Sequence, residues 1–276
     1  MEFGPLKVTF DRGIAVVTID QEPLPLVGGE FIVGLLGLLP ALEGASDLRV
    51  VVFRSADPDY FLMHGDVEFL AAAPVAEHAT VTEPNIAAAL FDRIHRARYL
   101  SIGIVDGAAR GGGCEFLSAL DLRIGSPRTV IGQPEVPMGI LPGAGGTTRW
   151  PRLIGRAAAL ELLLTGRDVD AGEALRIGWL QQMHPSETVE ARAIELARSI
   201  ARMHPETIAA VKEVVDTSLG TSNDALVSES DALATLMSTG RHVEPMKRFL
   251  DAGGQTRVGE AGGIDALIRA MVGPVD

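Results

Sequence analysis

The sequence predicts an α/β protein in which pairs of strands alternate with helices. Three observations support this fold class. Short β-branched runs recur through the first half of the chain, apolar residues at helical spacing dominate the second half, and glycine-rich loops stand where strands lead into helices. With 276 residues, the chain is long enough for one large domain with a substantial apolar core.

The chain begins with the patterns of a hairpin and a helix. Residues 7–10 and 14–19 are β-rich runs separated by Asp-Arg-Gly, which is typical of an antiparallel hairpin. Apolar residues at helical spacing predict a helix over 30–43. Gly34 and Gly37 lower the helix propensity of that segment, so tertiary packing must stabilise it.

A buried strand and a capped helix are predicted next. The β-branched run at 48–54 suits a strand buried on both faces, and Asp66 can cap the helix that follows the next turn. Residues 71–84 contain two prolines and mixed polarity, which predict an exposed, variable loop. The other elements expected before residue 140 are strands at 101–106, 122–125 and 130–132 and helices at 85–99 and 114–120.

Helical spacing dominates the chain after residue 156, and no strand is expected beyond about residue 205. The chain is therefore divided into a core of 1–205 and a helical region of 206–276, with a boundary near His204-Pro205. The glycine-rich segment 251–263 is expected to be mobile. The predicted helices cover 157–164, 171–177, 187–203, 206–219 and 224–239.

Composition excludes several classes of partner. The net charge of -12 argues against nucleic acid, which is bound mainly by basic surfaces. The single cysteine, Cys114, leaves no intramolecular disulfide and no thiol cluster for a metal, so we expect a reducing compartment and no metal site. Neither a signal peptide nor a membrane span is expected, because the most apolar stretch, 31–42, is short and interrupted by glycine and proline. A cytoplasmic protein without a membrane partner is the interpretation.

A glycine triplet, Gly111 to Gly113, stands between a predicted strand and a predicted helix. Amides at such a helix N-terminus are free to stabilise an oxyanion, and glycine permits close approach of a carbonyl. Gly65, just before the helix capped by Asp66, offers a second amide. A tight packing turn explains the triplet equally well, and a plain helix cap explains Asp66.

Two glutamates lie close to these glycines in sequence. Glu115 falls in the first turn of the predicted short helix, and Glu135 stands among apolar turn residues. Two carboxylates of this kind suit proton transfer to and from neighbouring carbon and oxygen centres. Considered alone, Glu115 could equally be a surface charge that the helix dipole favours.

Residues 104–184 contain a series of distinctive motifs, which are ARGGGCEF, ALDLRIGS, IGQPEVPMGILPGAGGTTRWPRLIG, LLLTGR, AGEALRIGWL and the closing MHP. These motifs closely resemble those of the crotonase (enoyl-CoA hydratase/isomerase) superfamily, and a weaker resemblance extends over 7–250. The resemblance implies a spiral of β-β-α units with a C-terminal helical region that helps to build homotrimers, often paired into hexamers. It also implies an acyl-CoA substrate, with coenzyme A as part of the substrate and no separate cofactor.

Carried over by motif, Gly65 and Gly112 supply the two oxyanion-hole amides that hold a thioester carbonyl. Glu115 and Glu135 match the two glutamates of the hydratases, which implies syn addition of water to a 2-enoyl-CoA. In that chemistry Glu115 activates the water and Glu135 exchanges the proton at the α-carbon. The neighbours expected to bind substrate are His64, Asp66, Gly111 and Gly113.

The chain departs from the family pattern at 21–28 and around His64, where a small residue is usual. Glu68 stands where relatives often carry lysine, and Arg110 is expected to be a surface charge. These departures leave two alternatives open. One is another crotonase reaction, either double-bond isomerisation or carbon–carbon cleavage, and the other is a non-catalytic acyl-CoA-binding subunit. Cys114, Asp121 and Arg149 are expected to have structural roles.

Overall fold

The strands of this chain form two sheets that are linked by repeated strand–strand–helix units. The computed structural model describes residues 1–75, 77, 80–220 and 223–273. The exposed loop predicted at 71–84 falls partly on residues 76, 78 and 79, which lie outside the described residues. The prediction of a mixed α/β fold is confirmed.

From β4 to β9 the strands alternate between the two sheets along the chain. The larger sheet has the order β1-β2-β3-β4-β6-β8-β11, and the smaller has the order β10-β9-β7-β5. In chain order the strands are β1 (Glu2–Phe3), β2 (Leu6–Asp11), β3 (Ile14–Ile19), β4 (Val50–Ser55), β5 (Tyr60–Leu62), β6 (Leu100–Val105), β7 (Ala108–Arg110), β8 (Leu122–Gly125), β9 (Val130–Gly132), β10 (Val169–Asp170) and β11 (Gln182–Met183).

The helices follow the strand pairs and then continue alone. In chain order they are α1 (Gly29–Glu43), α2 (Val67–Ala72), α3 (Ile86–His95), α4 (Gly112–Ala119), α5 (Gly146–Ile154), α6 (Arg156–Thr165), α7 (Ala171–Arg176), α8 (Ser186–Ile200), α9 (Pro205–Leu219), α10 (Asn223–Ser238), α11 (Val243–Asp251), α12 (Arg257–Ala261) and α13 (Ile264–Val272). Among the described residues, none after 183 belongs to a strand, as predicted. No helix among the described residues is long and apolar enough to cross a membrane.

Each repeating unit places its first strand in the larger sheet and its second strand in the smaller one. Strands β4, β6 and β8 are parallel neighbours in the larger sheet, and β5, β7 and β9 are parallel neighbours in the smaller sheet. The chain therefore advances as a spiral. Because consecutive units repeat the same geometry, the loops that follow β5, β7 and β9 emerge side by side.

The core lies on both faces of the larger sheet. Along β4, Val51 and Phe53 pack into the cluster beneath α1, α3 and α4, whereas Val50 and Val52 pack into the cluster beneath α8. Successive side chains of a strand point to opposite faces, so a strand covered by helices on both sides must be apolar throughout. The buried strand predicted at 48–54 is confirmed, with β4 shifted slightly toward the C-terminus.

The glycines inside α1 are explained by the strand that crosses the helix. An added Cβ would lie 2.6 Å from the backbone oxygen of Phe3 at Gly34, and 2.9 Å from the Phe3 ring at Gly37. Because β1 lies this close to α1, the helix tolerates its lower propensity in exchange for close packing.

The expectation that 251–263 is mobile is wrong. This segment contains α12, whose Glu260 is 1% exposed, hydrogen-bonds with His64 and forms an ion pair with Arg110. The local glycine content suggested mobility, but contacts with residues far away in the chain hold the segment against the core. The division at residue 205 stays a prediction; α9 begins there, with Pro205 in its first turn.

Candidate active site

Three loops leave the carboxyl ends of adjacent parallel strands and form the candidate site. Residues 63–66 follow β5, residues 111–113 follow β7, and residues 133–135 follow β9. Ligands in parallel α/β sheets bind in the crevice outside these strand ends. The smaller sheet thus brings together segments that are far apart in sequence.

The glycine triplet contains one amide without an acceptor. Gly111, with φ at 51°, donates to Gly132 O at 2.9 Å, and Gly113 donates to Met63 O at 2.8 Å. Within the described part of the chain, the amide of Gly112 between them donates to no acceptor. It occupies the first turn of α4, where backbone amides have no intrahelical partner.

The amide of Gly65 lies close to that of Gly112. A Cβ added to Gly112 would lie 3.4 Å from the Gly65 nitrogen, so the two loops are in contact. Gly65 forms a parallel bridge with Val27, in which Val27 donates to His64 O and the Gly65 amide donates to no acceptor among the described residues. The two amides are therefore neighbours, while their role as an oxyanion hole stays a prediction.

Glu115 is a buried carboxylate on the first turn of α4, 4% exposed. Its Oε1 accepts hydrogen bonds from the amides of Ala144 at 2.7 Å and Gly146 at 2.8 Å. Burial and the nearby charge of Glu229 raise the pKa of Glu115 to about 8, although the two amides oppose the shift. It is therefore no surface charge, but a carboxylate that can exchange a proton near neutral pH.

Glu135 follows β9 and lies against the N-terminus of α4. A Cβ on Gly111 would lie 2.7 Å from Glu135 Oε1 and 2.8 Å from the Cβ of His64, so these three residues meet. Burial, followed by the charge of Glu115, raises the pKa of Glu135 well above its ordinary value. Met138, in the apolar turn after Glu135, is buried as well.

Gln133 links the two carboxylates and was not singled out in the sequence. With its nitrogen turned toward Glu135, the buried carboxamide donates to Oε2 at 3.0 Å. A Cβ added to Gly146 would lie 2.9 Å from the Gln133 carboxamide and 3.0 Å from Glu115 Oε1, so the carboxamide lies beside both glutamates. Gln133 stands two residues before Glu135 and directly after a predicted strand, and this position could have marked it as a site residue in the sequence.

His64 and Arg110 belong to one buried network of charged groups. His64 Nε2 lies 2.9 Å from Glu260 Oε1, and Arg110 Nη1 donates to Glu260 Oε2 at 3.1 Å. Arg110 also forms a two-pronged ion pair with Asp168 at 2.8 and 2.7 Å. The expectation that Arg110 is a surface charge is wrong, since it is 3% exposed. Although burial opposes it, the His64 hydrogen bond and these charges hold the pKa of Glu260 below its ordinary value.

Asp66 and Gly113 are committed to structural contacts beside the crevice. Asp66 caps α2 by accepting from Phe69 N at 3.1 Å, and it also accepts from Gln255 Nε2 at 3.0 Å. A Cβ at Gly113 would lie 1.9 Å from Leu62 O. Both residues therefore stabilise the fold beside the crevice. Their contact with substrate stays a prediction.

Replacing Glu260 by glutamine should disturb the two loops formed by residues 63–66 and 111–113. Glu260 contacts His64 in one loop and Arg110 at the end of the strand before the other, so loss of its charge leaves Arg110 with one carboxylate fewer. Breaking a buried ion pair in this way is expected to destabilise the protein by roughly 3 kcal/mol. Urea unfolding measures the change, and Glu244→Gln on the exposed face of α11 serves as the control. Equal stability of the two variants would contradict this account.

Comparison with known proteins gives a family match over most of the chain. The profile of one protein family, described as enoyl-CoA hydratase/isomerase, matches residues 9–254. The matched range includes every residue that the preceding paragraphs assign to the crevice except Gln255 and Glu260, which lie just beyond its end.

Solved structures with the same fold cover nearly the whole chain. A candidate enoyl-CoA hydratase from Streptomyces avermitilis is 31% identical, with 98% of each chain covered and a TM-score of 0.86. The enoyl-CoA hydratase from Bacillus anthracis is 24% identical, covering 90% of this chain and 95% of its own, with a TM-score of 0.72. The one from Bacillus halodurans is 20% identical, covering 88% and 99%, with a TM-score of 0.80. They confirm the fold that the motifs predicted.

Proposed function

Because the chain belongs to the enoyl-CoA hydratase/isomerase family of the crotonase superfamily, we propose that it is a hydratase that adds water to a 2-enoyl-CoA. The product is a 3-hydroxyacyl-CoA. The observation that carries the proposal is the meeting of two buried carboxylates, Glu115 and Glu135, with the adjoining free amides of Gly65 and Gly112. Many crotonase relatives with other activities lack one or both of these glutamates, so their joint presence favours hydration.

The two amides would polarise the thioester. Hydrogen bonds from Gly65 and Gly112 to the carbonyl oxygen make the β-carbon electrophilic and stabilise the enolate-like charge that develops on that oxygen. Because both amides belong to a rigid backbone, they need no reorganisation during the reaction. One such donor is typically worth roughly 3 to 4 kcal/mol in the transition state.

The glutamates supply the proton transfers. Ionised Glu115 accepts a proton from water while the water oxygen bonds to the β-carbon, and protonated Glu135 gives its proton to the α-carbon. One water is consumed, and exchange of a proton with solvent restores the starting pair. Burial raises the pKa of both groups, and the charge of Glu115 raises that of Glu135 further, so ionised Glu115 beside protonated Glu135 forms as the pH rises toward 8.

The proposal includes a homotrimer, or a hexamer of two trimers, assembled through the helical region 206–276. Exposed apolar side chains on α9 support it, because such groups on one helix are typical of an interaction surface. They are Val211, Val214, Val215 and Leu219.

Turnover of a panel of thioesters tests the hydratase. Short, medium and branched 2-enoyl-CoA substrates and one 3-enoyl-CoA are incubated with the protein, and products are identified by chromatography and mass spectrometry. We expect 3-hydroxyacyl-CoA from at least one 2-enoyl substrate, and a loss of about 10²- to 10⁴-fold in kcat for Glu135→Gln. Conversion of the 3-enoyl substrate alone would indicate isomerisation instead. Tight binding without turnover, in both wild type and variant, would indicate a non-catalytic subunit.

A further inference from the structure

A third buried carboxylate, Glu229, lies beside the site without a part in the proposed proton transfers. It belongs to α10 and is 5% exposed. Oε1 accepts from Gly145 N at 2.6 Å, and Oε2 accepts from Thr148 N at 2.9 Å, from Thr148 Oγ1 at 3.0 Å and from the Thr147 hydroxyl. Four donors from the 144–148 turn thus converge on one carboxylate from a distant helix.

Glu229 and Glu115 bind alternate amides of the same turn. Glu115 accepts from Ala144 and Gly146, and Glu229 accepts from Gly145 between them and from Thr148 after them. The N-cap residue of α5 is Gly145, which has no side chain to satisfy the first amides of the helix. The two glutamates satisfy them instead, and the helix dipole favours both negative charges.

The 144–148 turn contains a glycine that adds little rigidity of its own. Gly145 has φ at 109°, and a Cβ there would lie 1.6 Å from Arg149 Nη1. Glycine is therefore required, and glycine contributes the least conformational restriction of any residue. Side chains from outside the turn help to hold it: Glu229 accepts four hydrogen bonds from it, and Arg149 Nη1 donates to Ala144 O at 3.2 Å.

We propose that Glu229 is a positioning residue, which holds the 144–148 turn so that two of its amides meet Glu115 and which places a second negative charge beside that carboxylate. The proposal rests on the proposed function insofar as Glu115 is the group that activates water. It assigns the C-terminal helical region a part in the chemistry, because α10 carries Glu229.

The surrounding charges define what removal of Glu229 should change. Glu115 on α4 faces Glu229 on α10, Glu135 after β9, and the guanidinium of Arg149 on α5, which in turn contacts Asp92 on α3 at 3.4 Å. The charge of Glu229 opposes ionisation of Glu115, whereas that of Arg149 favours it. A neutral residue at 229 removes the opposing charge, so Glu115 should ionise at lower pH.

The test is a titration that does not depend on turnover. Isotope-edited infrared difference spectra of protein labelled with ¹³C-glutamate follow the carboxyl groups with pH, and Glu115→Gln assigns the signal of Glu115. In Glu229→Gln we expect the pKa of Glu115 to fall by roughly one unit. Asp224→Asn, which removes an exposed charge from the first turn of the same helix, is the matched control and should leave it unchanged.

Steady-state kinetics on the accepted enoyl-CoA provide the second measurement. Glu229→Gln should lower kcat by about 10-fold or more with KM within about 3-fold, and should displace the pH profile of kcat/KM toward acid in step with the titration. A purely structural role would lower the amount of folded enzyme without moving the profile. An unmoved Glu115 titration in folded Glu229→Gln would overturn the proposal.

A second variant keeps the test decisive if Glu229→Gln does not fold. Glu229→Asp keeps a carboxylate at this position but shortens the side chain, which moves the charge away from Glu115, so the pKa of Glu115 should fall by less than in Glu229→Gln. An unchanged Glu115 titration in folded Glu229→Asp would also overturn the proposal. If no thioester is hydrated while the Glu115 titration moves, the proposed function fails and the coupling between the two carboxylates stands.

Discussion

Glu115→Gln is expected to abolish hydration while making the folded protein more stable at pH 8. The proposed water-activating group is lost, so kcat should fall by about 10²- to 10⁴-fold. The glutamine oxygen can still accept from Ala144 and Gly146, the two amides that Oε1 of Glu115 binds. Substitution therefore removes a buried ionisable group without removing its hydrogen bonds.

The gain in stability follows from the sign of the pKa shift. Glu115 has a folded-state pKa of about 8 against 4.5 for an ordinary glutamate, so between these pH values the folded protein binds more protons than the unfolded chain. Stability from this group is complete below the unfolded value and is lost as pH rises toward 8. The neutral glutamine escapes that loss, which the shift of the Glu115 pKa puts at roughly 4 kcal/mol at pH 8.

Urea unfolding at pH 5 and pH 8 measures this effect. The stability difference between Glu115→Gln and wild type should be larger at pH 8 than at pH 5. Glu187→Gln, in the exposed first turn of α8, provides the control, because an exposed carboxylate should show no such dependence. A difference that is the same at both pH values would contradict a buried, proton-binding Glu115.

Gly113→Ala should be the most destabilising single-methyl substitution in the crevice. The added Cβ would lie 1.9 Å from Leu62 O and 2.3 Å from Leu62 C, which are backbone atoms of β5 and cannot rotate away. The Gly113 amide also donates to Met63 O at 2.8 Å, so α4 cannot withdraw without losing this bond. We expect a loss of more than about 3 kcal/mol in the free energy of unfolding.

Gly113→Ala should also impair catalysis. A shift of α4 away from β5 would move Gly112, which precedes Gly113, relative to its neighbour Gly65. Denaturant unfolding and kcat on the accepted thioester provide the two measurements. Gly29→Ala in the first turn of α1 is the control, since its Cβ would meet nothing within 4 Å and should stabilise by about 0.5 kcal/mol. A Gly113→Ala protein within 1 kcal/mol of wild type would refute the close approach.

The sequence was informative where the signal is local. Strand and helix periodicity depend on neighbouring residues, so the hairpin, the buried run of β4 and the helices from α6 to α10 were predictable. The short strands β5 and β7 and the helices α5, α11, α12 and α13 were not predicted. The family motifs also identified Gly112, Glu115 and Glu135, and the structure brings these residues to one crevice.

The α/β class, the family and the candidate reacting groups can thus be predicted from the amino-acid sequence. The burial and the hydrogen-bond partners of those groups become visible in the folded chain. His64 meets Glu260 across 196 residues, and Gly145 meets Glu229 across 84. From the local sequence alone, a carboxylate on a helix is interpreted as a surface charge. Its burial depends on which distant amides and cations the fold brings to it. The spacing of neighbouring residues does not predict those contacts, and they set the charge and proton affinity of the site.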